Sequence, residues 1–150
     1  MDVKAIIRKA NGHDLPVMAG LLAELFTIEE DFIIDTEIQS RGLELLLQNS
    51  HSIVLVAEIL NDVVGMITLQ RGISTAMGEY VGTIEDVIVS QAYRATGIGT
   101  QLLASAIEEA DQRKWGRLAL GVDLRNTEAI EFYTKLGFTK SHMGLMYRVV

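Results

Sequence analysis

The chain contains no cysteine and a single proline, Pro16. Without thiols there are no disulfides, no thiolate metal ligands and no cysteine nucleophile, a composition that suits a reducing compartment. No stretch approaches the roughly 18 consecutive apolar residues of a membrane helix. Met1-Asp2-Val3-Lys4 also lacks the basic region and apolar run of a secretion signal. A cytoplasmic protein with no membrane partner is therefore expected. Basic residues are the minority, 13 Lys and Arg against 20 Asp and Glu, and the net charge of −7 argues against a nucleic-acid partner and mildly favours cationic small molecules. His13, His51 and His142 are scattered without a partner at ligand spacing, so no metal is expected. A Gly-x-Ser-x-Gly elbow is missing, which argues against a hydrolase triad. With no repeat, low-complexity tract or linker, residues 1–150 read as one domain.

The apolar periodicity predicts a first strand over 3–8, then a helix N-capped by Asp14, with Pro16 in its first turn and Leu21, Leu22 and Leu25 on one face. A second helix is expected over 36–48. Between them, residues 27–35 carry Glu29, Glu30, Asp31 and Asp35 around Phe32 and read as an acidic loop. Runs 52–60 and 63–70 flank Asn61-Asp62, a hairpin signal. A loop over 72–78, a strand over 80–89, a helix over 98–113 and a strand over 118–122 follow. A helix over 127–136 is closed by Gly137, and strands over 138–141 and 145–150 end the chain. The pattern gives an α/β (α+β) fold: a mixed, mostly antiparallel sheet of about seven strands flanked by four helices.

The sharpest local feature is the strand-to-helix turn from Val87 to Thr100, Val-Ile-Val-Ser-Gln-Ala-Tyr-Arg-Ala-Thr-Gly-Ile-Gly-Thr. Helix N-termini offer unpaired N–H groups at a positive dipole end, and glycines let them approach a phosphate. Arg94 adds charge beside the turn and Thr100 a hydroxyl. A dinucleotide fingerprint would need a third glycine where Leu102 stands, and the Gly-Lys-Ser/Thr of a P-loop is missing.

Arg94-Ala95-Thr96-Gly97-Ile98-Gly99 resembles the Arg/Gln-x-x-Gly-x-Gly/Ala signature of the GNAT family of N-acetyltransferases. Residues 126–138, beginning Asn126-Thr127-Glu128-Ala129 and including Phe132-Tyr133, resemble that family's second block, Asn-x-x-Ala-x-x-Phe-Tyr-x-x-x-Gly-Phe. Gln91 and Ala95 depart from the proline and glycine often found there, and an ordinary alanine is expected to keep Ala95 out of positive φ. The resemblance implies the acyl-coenzyme A N-acyltransferase fold, acetyl-coenzyme A as cosubstrate held at Val87, Ile88, Val89 and at Arg94 to Thr100, and transfer to a primary amine by direct attack.

An alkyl ammonium has a pKa near 10.4 and must lose a proton before it attacks. Glu85 and Asp86 precede the cofactor strand segment, and alternation predicts that they face opposite sides of the sheet. By resemblance Glu85 matches a base of some polyamine acetyltransferases, with Asp86 as its substitute or orienter. The same resemblance makes the N–H groups of Val87 to Val89 oxyanion donors and Tyr133 the general acid. Asn126 is expected to cap its helix, bond the pantetheine arm, or both. The acidic loop, with Glu29 and Glu30, borders the acceptor side in this fold, and Phe32 and Tyr80 are candidate walls. The resemblance also accommodates a homodimer, a peptide or protein amine as acceptor, and a regulatory module that binds acyl-coenzyme A without turnover.

Overall fold

The structure, a computed structural model, describes residues 2–29 and 32–150. The chain divides into two compact units, Met1–Ala119 and Leu120–Val150. In the first, strand β1 (Ile6–Lys9) leads into helices α1 (Leu15–Ile28) and α2 (Thr36–Gln48). Strands β2 (Ile53–Ile59), β3 (Asp62–Ser74) and β4 (Glu79–Val89) then run antiparallel, and helix α3 (Ile98–Gln112) precedes a short strand β5 (Leu118–Leu120). The sheet order is β1-β2-β3-β4-β5. The second unit carries helix α4 (Thr127–Lys135).

Sheet alternation sorts the apolar residues onto two faces. On one, Val54, Val56, Met66 and Ile88 meet Met18, Leu21, Leu22 and Leu25 of α1 and Leu43 of α2, all buried. On the other, a Cβ placed on Gly65 would stand 3.1 Å from Leu102 Cδ1 and 3.5 Å from Ile98 Cγ2, which places that face under α3. Burying a side chain such as Leu102 or Ile98 stabilises the fold by about 1.5–3 kcal/mol. Met66, fully buried under α1, is therefore core.

The hairpin between β2 and β3 turns at Leu60 (φ 49°) and Asn61 (φ 70°), one residue before the expected pair, because Asp62 already pairs with Ile59. Two left-handed residues make the turn whose twist suits a hairpin. Residues 72–74, expected in a loop, extend β3 through pairs with Val81, Tyr80 and Glu79. Asp14 is not a side-chain cap: it takes a two-pronged bond from Arg8 at 2.8 and 2.9 Å, while Arg8 Nε reaches Glu58 at 2.9 Å. The Arg8 guanidinium holds the buried Asp14 carboxyl below its usual range, and both carboxylates raise Arg8. This network joins β1, β2 and the entry to α1.

Among the described residues five strands stand where about seven are expected. Residues 138–141 and 145–150 are not part of the sheet; Tyr147, Val149 and Val150 supply β-propensity, but a strand also requires a ladder, and neither segment forms one among the described residues.

Gly82 on β4 tests the packing. A Cβ there would lie 2.5 Å from Cε3 of Trp115 and 2.7 Å from Cδ2 of Leu118. Gly82→Ala is expected to destabilise the protein by about 1–3 kcal/mol in urea denaturation. Gly72→Ala meets only Val81 Cγ2 at 3.8 Å and is expected to leave the midpoint unchanged or slightly higher.

Candidate active site

The β3–β4 ladder skips a residue. Thr68 pairs with Asp86, but Leu69 pairs with Ile84, so Glu85 is an extra residue in β4. Ile67 and Leu69 share a face of β3, and their partners Val87 and Ile84 therefore share it too. The two residues between those partners are both left for the opposite face, the one that carries α1 and α2. Glu85 and Asp86 thus lie side by side, a correction to the alternation expected from the sequence. Asp86 accepts a 2.6 Å hydrogen bond from the hydroxyl of Thr68, itself fully buried, a length typical of bonds to a charged oxygen. Burial pushes the Asp86 carboxyl above its usual range, with the Thr68 bond opposing. Desolvation and then the Asp86 charge raise Glu85 as well, although its side chain is exposed and water screens the effect.

Beyond Val89 the chain makes a short 3-10 turn, Gln91–Tyr93, and enters α3 through Ala95 (φ 59°) and Gly97 (φ 85°, ψ 0°). The expectation that Ala95 avoids positive φ fails. The surroundings hold it there: the Thr96 hydroxyl bonds to Tyr93 C=O, and Thr96 C=O accepts from Val3 N–H at 2.8 Å. Such a residue stores of order 1–3 kcal/mol of strain, which neighbouring contacts must offset. Gly97 caps α3 without a side-chain bond. Among the described residues, no acceptor takes the N–H groups of Ala95, Gly97, Ile98, Gly99 or Thr100, while Thr96 closes the turn over Arg94 and Ala95. Left-handed residues two apart, followed by a helix N-terminus, present these donors as an anion cradle. The donor set fits a pyrophosphate.

Arg94 is engaged elsewhere. Its Nε donates to Val89 C=O at 3.0 Å, and Nη2 lies 3.8 Å from Glu24 Oε1. Glu24 also accepts from Gln91 N–H at 3.1 Å, so the charge of Arg94 stays beside the turn while its hydrogen bond ties the turn to β4 and its ion pair ties it to α1. Phe32 stacks on Phe26 of α1 with ring centroids 5.2 Å apart. Tyr80 lies under the Arg71 guanidinium, 4.0 Å from the ring centroid; it pairs with Ile73, so its register puts it on the α3 face, opposite Glu85 and Asp86. Glu29 follows α1 directly, and Glu30 lies outside the described residues.

In the second unit, Asn126 caps α4 by accepting from Ala129 N–H at 3.0 Å. Tyr133 is half-buried between Phe132 and Phe138, with centroids at 5.1 and 5.8 Å. Gly137 ends the helix at φ 96°. Among the described residues no cluster of His, Cys, Asp or Glu is placed to hold a metal ion, and no helix is long and apolar enough to cross a membrane.

The sequence pattern of the Acetyltransferase (GNAT) family matches residues 18–138, and the chain belongs to that family. The aminoalkylphosphonate N-acetyltransferase of Salmonella typhimurium is 29% identical over 136 residues, 91% of this chain and 86% of the relative. An uncharacterized N-acetyltransferase of Archaeoglobus fulgidus is 27% identical over 140 residues, covering 92% and 95%. The crystal structure of a protein described as a transcriptional regulator from Bacillus halodurans superposes with a TM-score of 0.86 at 29% identity, covering 97% of this chain and all of that one.

Two residues at the site were not singled out in the sequence. Thr68 is the only hydroxyl in the otherwise apolar run from Val63 to Leu69, a signal in itself. Glu24 carried no local signal, since its partners are 67 and 70 residues away.

Because the Asp86 carboxyl is raised in the folded state, its contribution to stability is complete below about pH 4, the unfolded value, and is lost as pH rises through the folded value. Asp86→Asn keeps an acceptor for Thr68 and removes the charge. Thermal unfolding is expected to show the variant more stable than wild type at pH 7, with the gap closing toward pH 4. Parallel curves across that range would rule out a raised Asp86.

Proposed function

We propose that the protein is an acetyl-coenzyme A-dependent N-acetyltransferase of the cytoplasm whose acceptor is the primary amine of a small molecule. The observation that carries this reading is the succession along one stretch of chain: paired carboxylates at Glu85 and Asp86, then strand residues Val87 to Val89, then five unpaired N–H groups, of Ala95, Gly97, Ile98, Gly99 and Thr100. When bound, acetyl-coenzyme A supplies an activated acetyl thioester. Ala95 to Thr100 would hold its pyrophosphate, and Val87 and Val89, whose N–H groups point away from β3 while that of Ile88 faces the ladder, would offer backbone donors to the acetyl oxygen, an interaction worth roughly 2.7–4 kcal/mol in acyl transfer.

Glu85, exposed and raised, is the residue proposed to take the ammonium proton. A carboxyl pKa closer to neutrality makes a better proton acceptor from an ammonium than an ordinary one. Asp86, anchored by Thr68, orients the pair and adds negative charge for a cationic acceptor. Family resemblance assigns Tyr133 as the acid, and its packing between two aromatic rings supports a fixed phenol. The likeness to an aminoalkylphosphonate N-acetyltransferase supports a small amine. A second reading, a module that binds acyl-coenzyme A to regulate, takes its support from the protein described as a regulator.

Coenzyme A release should be followed with acetyl-coenzyme A and a panel of amines: an aminoalkylphosphonate, a polyamine, an aminoglycoside and a lysine peptide. Turnover with a small amine is expected. Tight coenzyme A binding with no turnover on any acceptor would favour the regulatory reading. With the best acceptor, Tyr133→Phe is expected to lower kcat on the order of a hundredfold and leave coenzyme A binding unchanged; an unaffected rate across pH would remove Tyr133 from the acid role.

A further inference from the structure

The chain preceding β1 is tied to the anion cradle by one side chain of α3. Gln101 bonds through both ends of its carboxamide: Oε1 accepts from Ala5 N–H at 2.9 Å, and Nε2 donates to Val3 C=O at 2.6 Å and to Gly97 C=O at 3.3 Å. Val3 N–H donates in turn to Thr96 C=O at 2.8 Å. An Asp2 carboxylate oxygen stands 3.3 Å from where a Cβ on Gly97 would be. Residues 2–5 therefore form a strap along the cradle, held by bonds that span more than ninety positions of sequence.

The strap acts through peptide planarity. In a trans peptide the C=O of one residue and the N–H of the next point in opposite directions. Drawing Thr96 C=O toward Val3 turns the Gly97 N–H away from the strap. Holding Gly97 C=O against Gln101 does the same for the Ile98 N–H. Both are among the donors left without an acceptor, and the same bonds hold the left-handed conformation of Gly97. We infer that Gln101, with the Val3 strap, is a positioning residue for the acyl-donor site: it aims the cradle's N–H groups without itself touching the ligand. This rests on the acyl-donor reading proposed above.

Two variants of the whole chain separate this role from plain support. Gln101→Met keeps length and removes all three side-chain bonds without adding charge. Val3→Pro removes only the bond to Thr96 C=O. Titration calorimetry with coenzyme A, at a temperature well below the unfolding midpoint of each variant, is expected to show dissociation constants raised about tenfold. With an acceptor in hand, the KM for acetyl-coenzyme A should rise by the same factor and kcat stay unchanged. Wild-type affinity in a folded Gln101→Met or Val3→Pro protein overturns the positioning role. Wild-type protein that does not bind coenzyme A at all overturns the acyl-donor reading, and this inference with it.

Discussion

The extra residue in β4 is the constraint on which the site depends. Strands β3 and β4 are bound by the alternation of the sheet: Met66 and Ile88 must face α1, and Ile67 and Val87 must face α3. Under strict alternation one of two adjacent carboxylates would point under α3, where a charge has no partner and carries a large desolvation cost. Inserting Glu85 opposite the Thr68 position lets the apolar register resume on both sides and puts both carboxylates on one face. Thr68 then bonds the half-buried one, Asp86. Ile67, Leu69, Ile84 and Val87 keep the α3 side, and both carboxylates lie on the other.

The same strand delivers the turn. Val89 ends the ladder opposite Gly65, and the chain must reverse at once to lay α3 over Gly65. That short reversal forces Ala95 and Gly97 into the left-handed region and leaves a row of donors with no intramolecular acceptor. Strain and unpaired donors are both costs to folding, and both are concentrated where a multiply charged anion would offset them. Arg94, Glu24, Gln101 and the strap over residues 2–5 brace the turn from behind.

Much of this was legible in the sequence because it is local. The glycine turn, the helix it opens, the Asn126 cap and the Gly137 stop are each read from a few adjacent residues, and the family signature lies in the same places. What could not be read are the relations between strands. A bulge is a property of two strands in register, so Glu85-Asp86 looks like an ordinary alternating pair until Thr68 and Leu69 are set opposite. Ala95 reads as an unremarkable alanine because the contacts that hold its positive φ come from Tyr93, Thr96 and Val3 together. The apolar pattern near Leu145 to Val150 suggested a strand by propensity alone, and propensity does not supply a pairing partner.

The central claim is that the N–H groups left without an acceptor after β4 receive the acyl donor. Amide resonances followed by two-dimensional NMR during titration with coenzyme A test it most directly. Saturable shifts concentrated at Ala95, Thr96, Gly97, Ile98, Gly99 and Thr100, extending to Val87, Ile88 and Val89, are the predicted result. Saturable shifts elsewhere that leave these nine residues unmoved would contradict it.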